Sequence, residues 1–190
     1  MRIIAGDARG RVIEAPAGEH TRPTTDRVRE SIMSSVASSL GGFEGICVCD
    51  AFAGSGALGL EAISRGAVFA VLCDKDKAAL KTIRKNIETL GFQGTCRVVS
   101  QDVLTRGLPQ GPEPYDVVFL DPPYATDPLL ISRMLCAAKD AGRLKPGCLI
   151  AYEHDERVSD ADMETFAKEA GLDRVRTKHY GQTVLDYLSV

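Results

Sequence analysis

The sequence predicts an α/β fold: a mostly parallel sheet, covered by helices on both faces, that closes with an antiparallel hairpin. Three observations predict it. From residue 46 onward, apolar strand-like runs alternate with amphipathic helical stretches, the pattern of a parallel sheet with helical crossovers. A glycine-rich turn, Gly54-Ser55-Gly56-Ala57-Leu58-Gly59, separates the first of those strands from its helix. The last two strand-like runs are joined by Gly181-Gln182 alone. Two residues cannot make a parallel crossover, so these runs fold back on each other, and glycine suits the first position of a type II′ turn.

The elements follow in order. Arg2–Ile4 and Arg11–Ile13 are short strands around the turn Gly6-Asp7-Ala8-Arg9-Gly10, a small hairpin. Residues 14–23, with Pro16, Gly18 and Pro23, form a loop. A helix starts near Thr24 or Thr25, because Val28, Ile32, Val36 and Leu40 recur every four residues and Gly41-Gly42 stops them. Ile46–Asp50 is an apolar strand, Ala57–Arg65 a helix closed by Gly66, and Val68–Asp74 a second strand. Residues 76–90 read as a helix with Leu80, Ile83, Ile87 and Leu90 on one face and Gly91 after it; Lys77, Lys81, Arg84 and Lys85 are its solvated side. Arg97–Ser100 and Tyr115–Leu120 are strands, Pro128–Ala141 a helix, and Cys148–Glu153 a fifth strand. Ser159 caps a helix through Ala170, and Leu172–Tyr180 and Thr183–Val190 make the closing hairpin, for seven strands from residue 46 on.

With 190 residues, 44% apolar and 26% charged, the chain has the size and composition of one ordinary globular domain, which excludes long disorder and a coiled coil. Its longest apolar run, Ala67–Cys73, is far too short to cross a bilayer, and Arg2 and Asp7 come too early for a signal peptide. The six cysteines form no C-x-x-C, and several lie inside strand-like runs as buried thiols, so a reducing cytoplasm is expected. His20, His154 and His179 share no ligand spacing, and no metal is expected. The net charge of −3 cannot hold a nucleic acid by itself. The arginines are concentrated at the start: Arg2, Arg9, Arg11, Arg22, Arg27 and Arg29 fall within the first thirty residues.

The glycine turn lets a ligand approach backbone at the carboxyl end of the sheet, where ligands of open α/β sheets bind. Gly54-x-Gly56-x-x-Gly59 is also the spelling of a dinucleotide fingerprint, with Asp74 twenty positions on from Gly54, so the turn alone leaves the adenosine cofactor open. The strand-end acids Asp50, Asp74 and Asp102 tip the balance. They would repel a pyrophosphate but welcome an ammonium and a sulfonium, the charges of S-adenosylmethionine. Asp74 is placed to accept from ribose hydroxyls and Asp102 from an adenine amine.

Asp121-Pro122-Pro123-Tyr124 follows the fourth strand directly. The two prolines lack N–H groups and fix φ, which makes a stiff loop with uncontested carbonyls and holds Asp121 extended. A planar NH2 group donates there to the Asp121 side chain and to the Pro122 carbonyl, while Tyr124 stacks on the attached ring. Accepting both protons localises the nitrogen lone pair, and methyl transfer then needs chiefly an in-line approach.

With these motifs the chain resembles class I S-adenosylmethionine-dependent amino methyltransferases, which implies a Rossmann-like domain with a seven-stranded, mostly parallel sheet. Arg2-Ile3-Ile4-Ala5-Gly6, Arg9-Gly10-Arg11 and Arg22-Pro23-Thr24-Thr25-Asp26-Arg27-Val28-Arg29-Glu30 further resemble the bacterial family that methylates N2 of one guanine in 16S ribosomal RNA. The resemblance implies a catalytic tetrapeptide Asp121, Pro122, Pro123 and Tyr124. It implies cofactor contacts at Asp50, Phe52, Ala53, Gly54, Ser55 and Gly56, at Asp74 and Lys75, at Asp102 and Val103, and at Thr24 and Thr25. Arg9, Arg11, Arg22, Arg27 and Arg29 are the implied RNA contacts, on an extension spanning residues 1–40 that precedes a transferase domain of residues 41–190. Arg27 and Arg29 are about 200° apart on a helix, so they cannot both face one ligand. The implied partner is a partly or fully assembled small ribosomal subunit, met by a monomer away from any membrane.

Other readings use part of the same sequence. A nicotinamide-dependent oxidoreductase would use the glycine turn but leave the tetrapeptide idle, and a non-catalytic RNA-binding module would leave both idle. Adenine N6 in DNA or a protein glutamine amide would suit the tetrapeptide, and only the arginine-rich beginning speaks against them.

Overall fold

The computed structural model describes residues 1–15 and 26–190. Its elements in chain order are α1 (Asp26–Leu40), β1 (Cys47–Asp50), α2 (Ala57–Ser64), β2 (Phe69–Asp74), α3 (Lys77–Leu90), β3 (Cys96–Ser100), α4 (Val103–Arg106), β4 (Tyr115–Leu120), α5 (Pro128–Asp140), β5 (Leu144–Asp155), α6 (Asp160–Ala170), β6 (Asp173–Tyr180) and β7 (Thr183–Ser189). One seven-stranded sheet has the order β3-β2-β1-β4-β5-β7-β6. The first five strands pair in parallel, and β7 pairs antiparallel with both β5 and β6. This is the Rossmann-like α/β architecture expected, and Gly181 takes φ +60° in the closing turn, as the first position of a type II′ turn requires.

Strand alternation divides the core. Cys49, Val71, Val118, Ile150 and Leu188 face α5 and α6, which contribute Ile131, Leu135, Met163 and Phe166. Val48, Ala70, Val117, Phe119 and Tyr187 face the other way, onto Val28, Ile32 and Val36 of α1 and Leu58 and Ala62 of α2. Adjacent residues thus belong to opposite faces, as a period of two demands. The cysteines are all free, and burial pushes the Cys73 thiol up to about 12. No helix among the described residues is long and apolar enough to cross a membrane.

Three elements differ from expectation. A four-residue helix, α4, occupies a stretch to which the sequence assigned no element, since so short a segment shows no helical period; Asp102 caps it by accepting from the Leu104 amide. Strand β5 begins at Leu144, four residues early, since Pro146 and Gly147 interrupt the apolar run without ending the strand. The amino-terminal hairpin has a single bridge, Arg2 to Val12, rather than two strands.

That amino-terminal segment is fastened to the transferase helices. Ile3, Ala8 and Ile13 pack on Leu60, Leu72, Ile83, Ile87 and Leu90. Glu61, wholly buried, accepts from the amides of Ile4 (2.8 Å) and Ala5 (2.9 Å) and from Arg65 Nε (2.9 Å). Asn86 of α3 accepts from the Glu14 amide at 2.8 Å and donates to the carbonyls of Glu14 and Ser55, both at 2.9 Å. Gly6, at φ +79°, lies so close to α2 that a Cβ there would stand 1.7 Å from the Ser64 carbonyl oxygen.

Candidate active site

In the strand order, β1 and β4 are neighbours whose chain connections run to opposite sides, and a crevice opens at the carboxyl ends of such a pair. A cleft of about 870 Å³ lies there. Asp50 to Ser55, Asp74, Lys75, Asp102 and Val103 line one part of it, all from the ends of β1, β2 and β3. Asp121 to Tyr124, Glu153 and Thr183 line the other, with His179 to Gly181 from the closing hairpin. The two motifs singled out in the sequence thus share one cavity.

The glycine turn is shaped by its acids. Asp74 accepts from the Gly54 amide through Oδ2 and from the Asp76 amide through Oδ1, both at 2.9 Å, which presses the loop against the end of β2. Asp50 is 1% exposed and its Oδ2 accepts from the Gly59 amide at 3.0 Å. Burial pushes its carboxyl from the usual 3.8 up to about 7, the Gly59 hydrogen bond opposes that, and the charges of Asp121 and Asp74 add to it. Gly59 has no room for a side chain: a Cβ would sit 2.3 Å from Leu72 Cδ2, so its absence is what lets α2 meet β2. The first turn of α2, where a dinucleotide pyrophosphate would rest, therefore already holds the Asp50 carboxyl group. Gly56, at φ +81°, serves the turn as the α2 cap and lies outside the cleft lining.

Asp102 receives Lys75 Nζ at 3.0 Å, and that contact holds its carboxyl below the usual range despite some burial. Phe52 and Val103 add apolar wall, and the acids Asp50, Asp74, Asp102, Asp121 and Glu153 line a single cavity. So many acceptor carboxyls in one lining fit a ligand carrying an ammonium, a sulfonium, sugar hydroxyls and an amino purine.

Tyr124 is 37% exposed, and its hydroxyl lies 3.3 Å from Thr183 Oγ1, which ties the tetrapeptide to the start of β7. Arg27 sits above the Tyr180 ring, 5.8 Å from its centre, at the same cleft. Tyr180 in turn bonds Ser31 of α1 through its hydroxyl, and Lys178 Nζ donates to Ser35 Oγ at 2.9 Å.

The expected arginines separate into two groups. Arg27 and Arg9 are exposed, Arg27 at the cleft and Arg9 beside Arg2 in a smaller neighbouring hollow. Arg29 is 1% exposed; it donates to the Arg2 carbonyl (2.6 Å) and to Asp26 (3.0 Å), with Nε 3.8 Å from Glu61, so it is a core cation rather than an RNA contact. Arg11 is exposed, and its guanidinium donates to the Thr89 and Leu90 carbonyls, capping the carboxyl end of α3. Arg22, Thr24 and Thr25 lie outside the described residues. Glu153, Thr183, His179 and Tyr180 are cleft residues that the sequence reading omitted. Glu153 carried a usable signal, being an acid at the end of an apolar strand just as Asp50 and Asp74 are. Among the described residues no group of three or more His, Cys, Asp or Glu side chains is placed to hold a metal ion.

A family model described as "Conserved hypothetical protein 95" matches residues 1–189. The chain is similar to Ribosomal RNA small subunit methyltransferase D of Escherichia coli strain K12, 39% identical over 155 residues, which is 82% of this chain and 75% of that relative. Among solved structures it is similar to hypothetical protein TTHA0928 of Thermus thermophilus, with TM-score 0.75 and 28% identity, covering 100% of this chain and 99% of that one. Magnesium protoporphyrin IX methyltransferase of Synechocystis PCC 6803, solved with bound SAM, shares the fold alone: TM-score 0.67, 18% identity, 86% of this chain and 78% of that one.

Proposed function

The chain belongs to the family described as conserved hypothetical protein 95, and from that membership we propose that it is an S-adenosylmethionine-dependent rRNA methyltransferase. Its acceptor is the exocyclic N2 amine of a guanine in 16S RNA of the small ribosomal subunit. The observation that carries this reading is the shared cleft: the Gly54 turn with Asp74 on one side and Asp121–Tyr124 on the other. The E. coli relative's name supports the small-subunit substrate.

The acid-rich lining fits the cofactor's charges. Asp74 would hold its ribose hydroxyls, Asp102 its adenine amine, and Phe52, Ala53 and Val103 its apolar surface, with Lys75 steadying Asp102. When bound, S-adenosylmethionine supplies a methyl group made electrophilic by a sulfonium.

The chain's own residues prepare the acceptor. The side chain of Asp121 and the carbonyl of Pro122 accept the two amine protons, so the nitrogen lone pair leaves conjugation with the ring. Pro123 keeps that loop rigid. Tyr124, anchored through Thr183, stacks on the base turned out of its strand. Asp121 then takes the proton that the substituted amine releases. Arg27 at the cleft, with Arg9 farther out, offers cations to RNA phosphates, making residues 1–40 the RNA-facing flank of a transferase formed by residues 41–190. The enzyme acts as a cytoplasmic monomer on a partly or fully assembled subunit.

The test supplies labelled S-adenosylmethionine with small subunits, large subunits, free rRNA and DNA, and identifies the modified nucleoside. Label in N2-methylguanosine from small-subunit material is expected. Label in adenine, in protein or in large subunits alone would overturn the proposal.

A further inference from the structure

Glu153 lies near the carboxyl end of β5, two residues before Asp155, and Asp121 directly follows β4. Phe119 pairs with Ala151 and Leu120 with Tyr152, so the next step along both strands sets Asp121 beside Glu153. Both residues share the parity of Phe119 and Ala151, the side of the sheet that faces α1. Glu153 is 6% exposed and lines the cleft together with Asp121 and Tyr124. On its other side β7 pairs Leu185 with it, two residues from Thr183, the partner of the Tyr124 hydroxyl. Two acceptor side chains on neighbouring strands thus face the space next to the stacking ring.

The amine-bearing bases differ at the atom beside the amine. Adenine carries a lone pair at N1, next to its N6 amine, and cytosine carries one at N3, next to its N4 amine. Guanine alone has an N–H there, at N1, next to N2. An ionised carboxylate only accepts hydrogen bonds, so a carboxylate beside the amine site attracts guanine and repels the other two. A glutamine amide presents a carbonyl at the same place and is repelled as well.

We infer that Glu153 is the specificity-determining residue for the base: it accepts guanine N1–H while Asp121 and Pro122 hold the adjacent N2 amine. The inference rests on the guanine-N2 reading above and deepens it. The Asp-Pro-Pro-Tyr loop by itself recognises an amine on a flat ring. Glu153 narrows that recognition to the one base with two adjacent donors.

2-Aminopurine keeps the reacting amine, replaces N1–H by a lone pair and lacks the 6-oxo group, so the comparison between wild type and the Glu153 variants is what isolates the N1 contact. Small subunits are reconstituted with guanine or 2-aminopurine at the position where wild-type label is found. Wild type is expected to favour guanine roughly 10- to 100-fold in kcat/KM, the range for losing one well-formed base contact. Glu153→Gln, whose amide presents an N–H as well as a carbonyl, is expected to bring that preference to within a few-fold while binding S-adenosylhomocysteine as wild type does. Glu153→Asp, which keeps the carboxyl group, is expected to methylate more slowly and still prefer guanine. Equal rates of wild type on the two bases overturn the inference with no variant needed, and so does a preference that survives intact in Glu153→Gln. Absence of wild-type label from guanine N2 in any particle overturns the functional reading first and this inference with it.

Discussion

Replacing Asp50 by Asn should stabilise the protein by an amount that grows with pH. The carboxyl is buried at the end of β1, and burial raises it from 3.8 to about 7. The folded state therefore keeps a proton that the unfolded chain has already released across the interval between those values. Stability that the protonated form enjoys is complete below about pH 4 and is lost as pH rises toward 7. At 1.36 kcal/mol for each tenfold change in proton affinity, the whole interval amounts to about 4 kcal/mol, of which roughly 3 falls between pH 5 and pH 8. That is a large share of the ~5–15 kcal/mol that holds a domain together. Asn keeps the shape and leaves a carbonyl oxygen to accept from the Gly59 amide, so the packing of α2 on β2 persists. Urea denaturation of both proteins at pH 5 and pH 8 measures the effect as the difference in unfolding free energy. The variant should gain on wild type by about 3 kcal/mol over that range. A gap that stays constant with pH would refute the assignment of a burial-raised carboxyl.

Asp74→Ala should weaken S-adenosylhomocysteine binding measured by calorimetry, because it removes the acceptor fixing the Gly54 loop. Tyr124→Ala should bind that product normally yet transfer methyl poorly. Matching losses in both assays for both variants would contradict the division of the cleft. Glu61→Ala should destabilise by about 3–5 kcal/mol, because it removes the buried carboxylate that the Ile4 and Ala5 amides and Arg65 share and that lies 3.8 Å from Arg29. Hydrogen exchange at the Ile4 and Ala5 amides should accelerate with it. Gly59→Ala should cost about 1–3 kcal/mol through the clash with Leu72. A thermal midpoint unchanged from wild type would count against so tight a contact.

The parallel sheet, its closing hairpin and the two cleft loops were legible because each is written locally. An apolar run ends in Asp50 or Asp74, a tetrapeptide follows Leu120, and two residues connect two strands. What depended on distant partners was not legible. Arg27 and Arg29 look alike in the sequence, and their helical phase shows only that they diverge. That Arg29 is the inward one follows from Glu61, more than thirty residues away, and from the Arg2 carbonyl. That Arg11 also caps α3 depends on the Leu90 carbonyl, 79 residues away. The cleft residues of the hairpin, Tyr180 and Thr183, carry no chemical motif; they join the site because β7 inserts between β5 and β6. Glu153 is the instructive omission, since the rule that picked out three other strand-end acids applied to it equally.

The wedge formed by Ile3, Ala8 and Ile13 limits how this enzyme can change its target. These side chains fill the floor beneath Leu60, Leu72 and Ile83, and Asn86 rivets the same stretch to the Ser55 carbonyl. On the function proposed here, a new RNA address cannot be attached by exchanging a detachable module at the front. It must be spelled with the outward residues of a segment whose inward ones already belong to the catalytic body. Divergence toward other substrates would accordingly proceed by single surface replacements such as at Arg9, and a wholesale swap of the leader would hollow out the ground beneath the methyl-donor loop.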